Sequence, residues 1–406
     1  MNTHLSAQKI KHFNHHALGH ETPYDDKQRA IIGRSACQEA HAEIQQWPHY
    51  QPTPLHNLTE LAQQLGLGQL HYKDEAGRFG LESFKALGGA YAVFKYVRDT
   101  LRQSLNEPNL SFQDLRSGQY RSHCEHITIT SATDGNHGRS VAWGARWLNC
   151  PCFIYIHREV SKHREHYLKS LGATVIRVEG NYDDSVDRCA EDAETHQRQV
   201  VSDTSYDGYT DVPRSVMEGY TLMMEECVQQ MKKPPTHILV QAGVGGLAAA
   251  IFGYARLTWE ISPRLIVVEP QLADCLYQSA QQDTIINVNI QEETMMAGLS
   301  CGNPSLLAWD ILQPSAHDYV TIPDDLIPSM MQNLAHSAYA STAIVAGESA
   351  PAGLAVLVAS TANTELASKL GLSDQSRVLV FGTEGATDPT IFEKIVGQPA
   401  SSISAS

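Results

Sequence analysis

Residues 82–89 read ESFKALGG, and the following AYAVFKYVRD has helical periodicity, so Lys85 falls at the predicted start of a helix. The positive end of the helix dipole lies there and disfavours a cation. The same field, with an apolar pocket around it, would lower a lysine's pKa. A lysine held unprotonated is a nucleophile able to form a Schiff base. Taken alone, Lys85 suits a surface position equally well. Chemistry needs other groups beside it, and three loops carry candidates.

The stretch ILVQAGVGGLAAAIFGYAR (238–256) reads as a strand ending at Gln241, a loop with Gly243, Gly245 and Gly246, and a helix beginning near Leu247. Glycines let a backbone approach an anion, and a helix N-terminus offers unpaired N–H donors, which together make a phosphate cradle. Gly243-x-Gly245-x-x-Ala248 also fits a dinucleotide fingerprint, with Glu269 ending the next strand where a ribose-binding acid would stand. This motif alone leaves both readings open. The second loop is ITITSATDGNHGRSVAWGARWL (127–148), where Ser131, Thr133, Asn136 and local N–H groups suit a substrate carboxylate. Asp134 is out of place in an anion site unless the ligand also carries a cation; it equally suits a helix N-cap, and the two roles can coexist. The third loop, RVLVFGTEGATDP (377–389), places Thr383 just past a buried strand. Ligands of open parallel sheets gather at the carboxyl ends of strands, so the three loops are expected to converge on one crevice.

The elements that must position these residues alternate. Strand-like runs are HITITSA (126–132), CFIYIH (152–157), TVIRVEG (174–180), THILVQAG (236–243), RLIVVEP (264–270) and RVLVFGTEG (377–385), with amphipathic helical stretches between them. This predicts α/β architecture with mainly parallel sheets covered by helices. Residues 101–122 are polar and predict an irregular connection. The first ~25 residues and the tail VGQPASSISAS predict flexible ends.

The chain has 406 residues, enough for two or three domains, and 42% are hydrophobic. Net charge is −15 and no basic run stands out, so nucleic acid and anionic membrane are poor partners. The first 20 residues lack the apolar core of a secretory signal, and no stretch approaches a membrane span. Eight cysteines are scattered without a CxxC pair, which favours free thiols in a reducing cytoplasm and disfavours a bond between Cys275 and Cys301. His163 and His166 would share a helix face but lack a third ligand nearby, so no metal site is expected.

Four motifs in order, the early S-F-K, the S-A-x-x-G-N-H-G loop, the G-x-G-G-L loop and the late G-T-E-G strand end, resemble the fold-type II pyridoxal-phosphate enzymes, the group of threonine dehydratase and the tryptophan synthase β chain. PTPLHNLTELAQQLG (52–66) and YLKSLGATVIRVEGNYDDSV (167–186) add to the resemblance, which spans roughly residues 50–390. Three features, KDEAGRFGLESFKALGGAYA, the aspartate of SATDGNHG and VVSDTSYDGYTDVPRSVMEGY, are most similar to the ammonia-lyases that act on 2,3-diaminopropionate. The resemblance implies pyridoxal 5'-phosphate joined to Lys85. It implies that Gly243, Val244, Gly245, Gly246 and Leu247 hold the phosphate and that Asn136 holds the ring hydroxyl. Phe84 would pack on the ring, and Thr383 would face its nitrogen. Asp134 and Asp203 align with the family's catalytic carboxylates, and Ser131, Thr133, Asp134, His137 and Asp203 would meet the substrate. Asp203 in VVSDTSYDGY also suits an Asx-turn.

The implied reaction is α,β-elimination of D- and L-diaminopropionate to pyruvate and two ammonia, in a cytoplasmic homodimer whose partners are small amino acids. The implied architecture is a large domain of residues 1–87 and 213–406, a small domain of 88–212, and the cofactor between them. A serine or threonine dehydratase is the near alternative; Asp134 argues against it, because a neutral leaving group needs no anionic partner. A nicotinamide-dependent oxidoreductase, resting on the glycine loop and Glu269, leaves Lys85 and Asn136 unexplained.

Overall fold

A computed structural model of the chain describes residues 9–15, 23–133 and 135–403. The chain divides into two compact units. The first comprises the described residues up to Arg34, Gln51–Phe84 and Met223 onward; the second comprises Ser35–Tyr50 and Lys85–Leu222.

The strands are β1 (Lys11–Asn14), β2 (Leu55–Asn57), β3 (Gln69–Asp74), β4 (Ile129–Ala132), β5 (Cys152–Ile156), β6 (Thr174–Arg177), β7 (Gln199–Val200), β8 (His237–Gln241), β9 (Arg264–Pro270), β10 (Asp318–Ile322) and β11 (Arg377–Gly382). The first unit holds a seven-stranded sheet in the order β1-β10-β9-β8-β11-β3-β2. Its edge pairings, β1 with β10 and β2 with β3, are antiparallel, and the rest are parallel. The central strands read as unbroken apolar runs, Ile238–Val240 and Leu265–Val268, because helices cover both faces. The second unit holds a parallel sheet, β6-β5-β4-β7.

Ser35–Tyr50 joins the second unit for a physical reason. Trp47 packs edge-on against Trp143 and Trp147 and tilts over Phe94, while Glu39 and Glu43 pair with Arg98 and Arg116. The units therefore differ from the sequence expectation at residues 35–50, at 85–87 and at 213–222.

Two further expectations are corrected. Residues 101–122 are not irregular: the helix Lys85–Ser104 runs into them, and a short helix, Phe112–Ser117, follows. That helix opens on a reciprocal Ser111/Asp114 capping box and closes on left-handed Gly118, so its S-x-x-D…G signature was readable. Of the expected flexible N-terminus, residues 11–14 form β1, and in the tail Ala400–Ser402 form a 3₁₀ turn. The remaining terminal residues lie outside the described ones. His163 and His166 lie on the helix Lys162–Ser170, and no cluster of metal-ligating side chains occurs among the described residues. Among those residues no helix is long and apolar enough to cross a membrane.

Beneath β3 lies a buried ionic tetrad. Arg78 bonds Glu75 and Glu226, Lys73 lies 2.7 Å from Glu226, and Thr53 donates to Glu75. Two cations and two anions balance, and each group is hydrogen-bonded, which is what makes such burial tolerable. The tetrad anchors the start of the segment Glu75–Phe84. The rest of that segment is laced onto the end of β11: Glu75 N–H donates to Gly382 O, Phe84 N–H to Thr383 O, and Gly385 N–H to Glu82 O.

Candidate active site

Lys85 opens the helix Lys85–Ser104, as the sequence predicts. Glycines let this helix sit close between two others. A Cβ on Gly88 would lie 2.4 Å from Tyr220 and 2.7 Å from the Val216 carbonyl, and one on Gly219 would lie 2.3 Å from the Leu87 carbonyl. On the other side, Gly144 meets Ala90, and the Ser140 hydroxyl accepts the Ala90 N–H at 2.8 Å. The ALGG that follows the lysine is thus a packing device, and it fixes where the amine can reach.

The amine forms an ion pair with the Asp203 carboxylate. The awkward placement of a cation at a helix N-terminus is offset by this pairing, where the sequence suggested only apolar surroundings. Burial would raise the Asp203 carboxyl, but the Lys85 amine holds it well below the usual carboxylate range. Tyr220, buried, is a second neighbour of the amine, and sequence reasoning missed it. Its signal was a tyrosine one helical position after Gly219, in a helix that can approach closely only at glycine.

His137 Nε2 lies 2.9 Å from the Val201 carbonyl. A carbonyl only accepts, so the ring carries its proton on Nε2. Burial, with Lys85 adding to it and Asp203 opposing, holds the imidazole below its usual range and neutral. Nδ1 therefore bears a lone pair 4.0 Å from Asp203 Oδ2, with no hydrogen-bond partner among the described residues.

Ser131 is fully buried, and its hydroxyl donates to Val201 O and braces β4. Thr133 Oγ1 accepts the N–H groups of Gly135 and Gly138 and so shapes the loop. Asn136 begins the helix Asn136–Leu148. Asp134 lies outside the described residues.

In the first unit, β8 and β11 are parallel neighbours, so the loops after them share one edge of the sheet. The expectation of three convergent loops holds here for two of them, since the Ser131 loop follows β4 in the other sheet. The helix Gly246–Thr258 begins right after β8, and its cap Gly245 has φ +97, a left-handed conformation that favours glycine. A Cβ on Gly245 would lie 3.0 Å from Leu312, and one on Gly243 would lie 3.0 Å from the Cys301 sulfur. No acceptor among the described residues takes the N–H of Gly243, Val244 or Gly245. Uncommitted donors on a glycine turn at a helix N-terminus fit a phosphate. The Cys275 thiol reaches toward the Gly243 carbonyl, and Cys275 and Cys301 are not joined in a disulfide.

Thr383 follows β11 and is 3% exposed; its Oγ1 accepts from Gln241 Nε2, and its own proton has no acceptor among the described residues. A buried hydroxyl with a free proton fits a ring nitrogen. Phe84 is buried just before Lys85. Glu269, the ribose-binding acid of the oxidoreductase reading, is buried, and its carboxylate accepts the N–H groups of Leu276 and Tyr277 at 2.8 and 2.7 Å. It caps the helix Cys275–Gln282, and the nicotinamide reading loses its acid.

A cradle for a phosphate, a hydroxyl for a ring nitrogen and a lysine paired with a carboxylate are the groups a pyridoxal-phosphate enzyme requires. A family model described as "Pyridoxal-phosphate dependent enzyme" matches residues 46–384, and the fold is that of fold type II within this class. Diaminopropionate ammonia-lyase of Salmonella typhimurium is 37% identical over 378 residues, covering 90% of this chain and 93% of that one. The chain belongs to the diaminopropionate ammonia-lyase family. Escherichia coli diaminopropionate ammonia lyase in complex with an aminoacrylate-PLP azomethine reaction intermediate superimposes with a TM-score of 0.84 at 35% identity, over 96% of this chain and 97% of that one. Its complex with D-serine gives a TM-score of 0.84 at 34% identity, over 98% of this chain and 99% of that one.

Proposed function

We propose that the protein eliminates the β-amino group of both D- and L-2,3-diaminopropionate, giving pyruvate and two ammonia, and that it works as a cytoplasmic homodimer. The observation that carries the reading is the Lys85–Asp203 pair with the neutral His137 behind it. A lysine amine and a carboxylate side by side suit a substrate that gives up a Cα proton and carries a second, cationic nitrogen.

When bound, pyridoxal phosphate supplies a conjugated ring that withdraws electrons and acidifies the substrate's Cα–H. Gly243, Val244, Gly245, Gly246 and Leu247 hold its phosphate, Asn136 its ring hydroxyl, Thr383 its ring nitrogen, and Phe84 packs on its face. Lys85 is its covalent anchor and takes the Cα proton of one enantiomer. Asp134 takes the proton of the other. Asp203 keeps the β-nitrogen protonated, so the C–N bond breaks with its electron pair going to nitrogen and neutral ammonia departs. The 2-aminoacrylate released takes up water to give pyruvate and the second ammonia. Thr133 and His137 orient the substrate.

The test is product release by the holoenzyme from D- and L-diaminopropionate, with D- and L-serine as controls. One pyruvate per two ammonia is expected from both diamino enantiomers, with slower release from serine. Asp134→Asn should lose D-isomer turnover by about 100-fold or more while keeping the L-isomer. Faster turnover of serine than of either diamino acid would favour the dehydratase alternative.

A further inference from the structure

We propose that Gln241 is a positioning residue that turns the Thr383 hydroxyl proton toward the ring nitrogen of the cofactor. The proposal rests on the reading that pyridoxal phosphate places that nitrogen against Thr383. Gln241 ends β8 and is 1% exposed. Its Nε2 lies 3.0, 2.9 and 2.9 Å from the carbonyl oxygens of Ser349, Ala350 and Phe381, and 3.1 Å from Thr383 Oγ1.

Three carbonyls around one nitrogen decide the orientation of the amide. With the group turned over, Oε1 would face three oxygens that cannot donate. An amide nitrogen cannot accept, so the Thr383 O–H cannot point at Gln241. Nε2 shares two protons among four oxygens and offers no lone pair, so the hydroxyl faces Gln241 with a lone pair and directs its own proton away, and no described residue accepts that proton. A buried donor of this kind calls for an acceptor. An unprotonated pyridine nitrogen is one. A protonated nitrogen would leave the hydroxyl proton without a partner. Gln241 thus selects the neutral ring, the weaker electron sink, which favours elimination over transamination.

Removing the amide changes the choice. In Gln241→Met the carbonyls of Ser349, Ala350 and Phe381 lose their donor, and the Thr383 hydroxyl can turn back to donate to one of them. The experiment measures the visible absorption band of the bound cofactor and its dissociation constant in wild type, Gln241→Met, Thr383→Val and the double variant. Both single variants should shift the band in the same direction and by the same amount, and weaken cofactor binding about five- to tenfold. The double variant should show no further change, and Thr383→Ser should keep the wild-type band. If Gln241→Met does not fold, Gln241→Asn serves, because it keeps an amide but withdraws it from Thr383. A Gln241 variant with lowered stability and an unchanged band, or shifts that add in the double variant, would overturn the positioning role. A wild-type protein that binds no pyridoxal phosphate would instead overturn the site assignment beneath it.

Discussion

Lys85 occupies the end of a helix where a cation is least stable, and Asp203 stabilises it there. The effect is reciprocal. The Asp203 carboxyl is held below its usual range, so the pair contributes stability above the unfolded carboxyl's pKa and loses it as pH falls toward the lower folded value. In the cofactor-free protein, Lys85→Met should therefore lower stability by roughly 1–3 kcal/mol at pH 7. The gap should begin to narrow below about pH 4. Urea unfolding at a series of pH values checks both parts; a gap independent of pH would mean the loss is one of packing. At this scale the sequence was informative where a residue breaks a local rule. A lysine at a helix start and an aspartate in an anion-type loop stood out for that reason. Gln241 broke none, since a glutamine at a strand end is ordinary, and its role depends on three carbonyls more than 100 residues away. Glu269 was misread for a related cause: an acid ending a strand suits a ribose or the next helix equally, and only the N–H groups of Leu276 and Tyr277 decide.

The helix Lys85–Ser104 is placed by contacts that only glycine permits. Alanine has about 1 kcal/mol better helix propensity than glycine, so Gly88→Ala would stabilise an isolated helix. Here the added methyl would meet Tyr220 and the Val216 backbone, and the Val216 carbonyl cannot move aside as a side-chain tip could. Overpacking should dominate, with a net loss of about 2 kcal/mol. The helix start should shift as well, so borohydride trapping of pyridoxal phosphate on the peptide containing Lys85 should fall. Mass spectrometry with a thermal melt checks the two together, and a variant more stable than wild type would refute the close approach. The strands β8, β9 and β11 were legible because they are rich in Val, Ile and Leu, and β4, β5 and β6 because each sits in a short β-branched or aromatic run. β3 was not, since Gln69–Asp74 reads as a polar segment. Its buried Lys73 becomes tolerable through the charge of Glu226, over 150 residues further on, with Thr53 O and Gln230 taking its other protons.

Across the whole molecule, charges join segments that are remote in sequence. Asp318 on β10 accepts from His12 and Asn14 of β1 and holds Arg264 of β9 through both oxygens. Burial works against its charge, but these hydrogen bonds and Arg264 bring its pKa down to about 2. A lowered value means stability that is complete above the unfolded pKa near 3.9 and is lost as pH falls through about 2. Asp318→Asn should thus lower stability by about 2 kcal/mol at neutral pH, and the deficit should shrink between pH 4 and pH 2. Unfolding midpoints at pH 7 and pH 3 give the comparison. The unit boundaries were the least legible feature at this scale: residues 35–50 precede the first unit's β2 yet belong with the second, through Trp47, Glu39 and Glu43.

The main-chain lacing of Glu75–Phe84 onto Gly382–Gly385 has an outcome for inheritance and for engineering. Two stretches some 300 positions apart behave as a single cassette. A deletion in either would slide one past the other by a residue, misaligning Phe84 and Thr383 together. Chimeras exchanging this region with a relative should succeed only when both stretches come from the same parent.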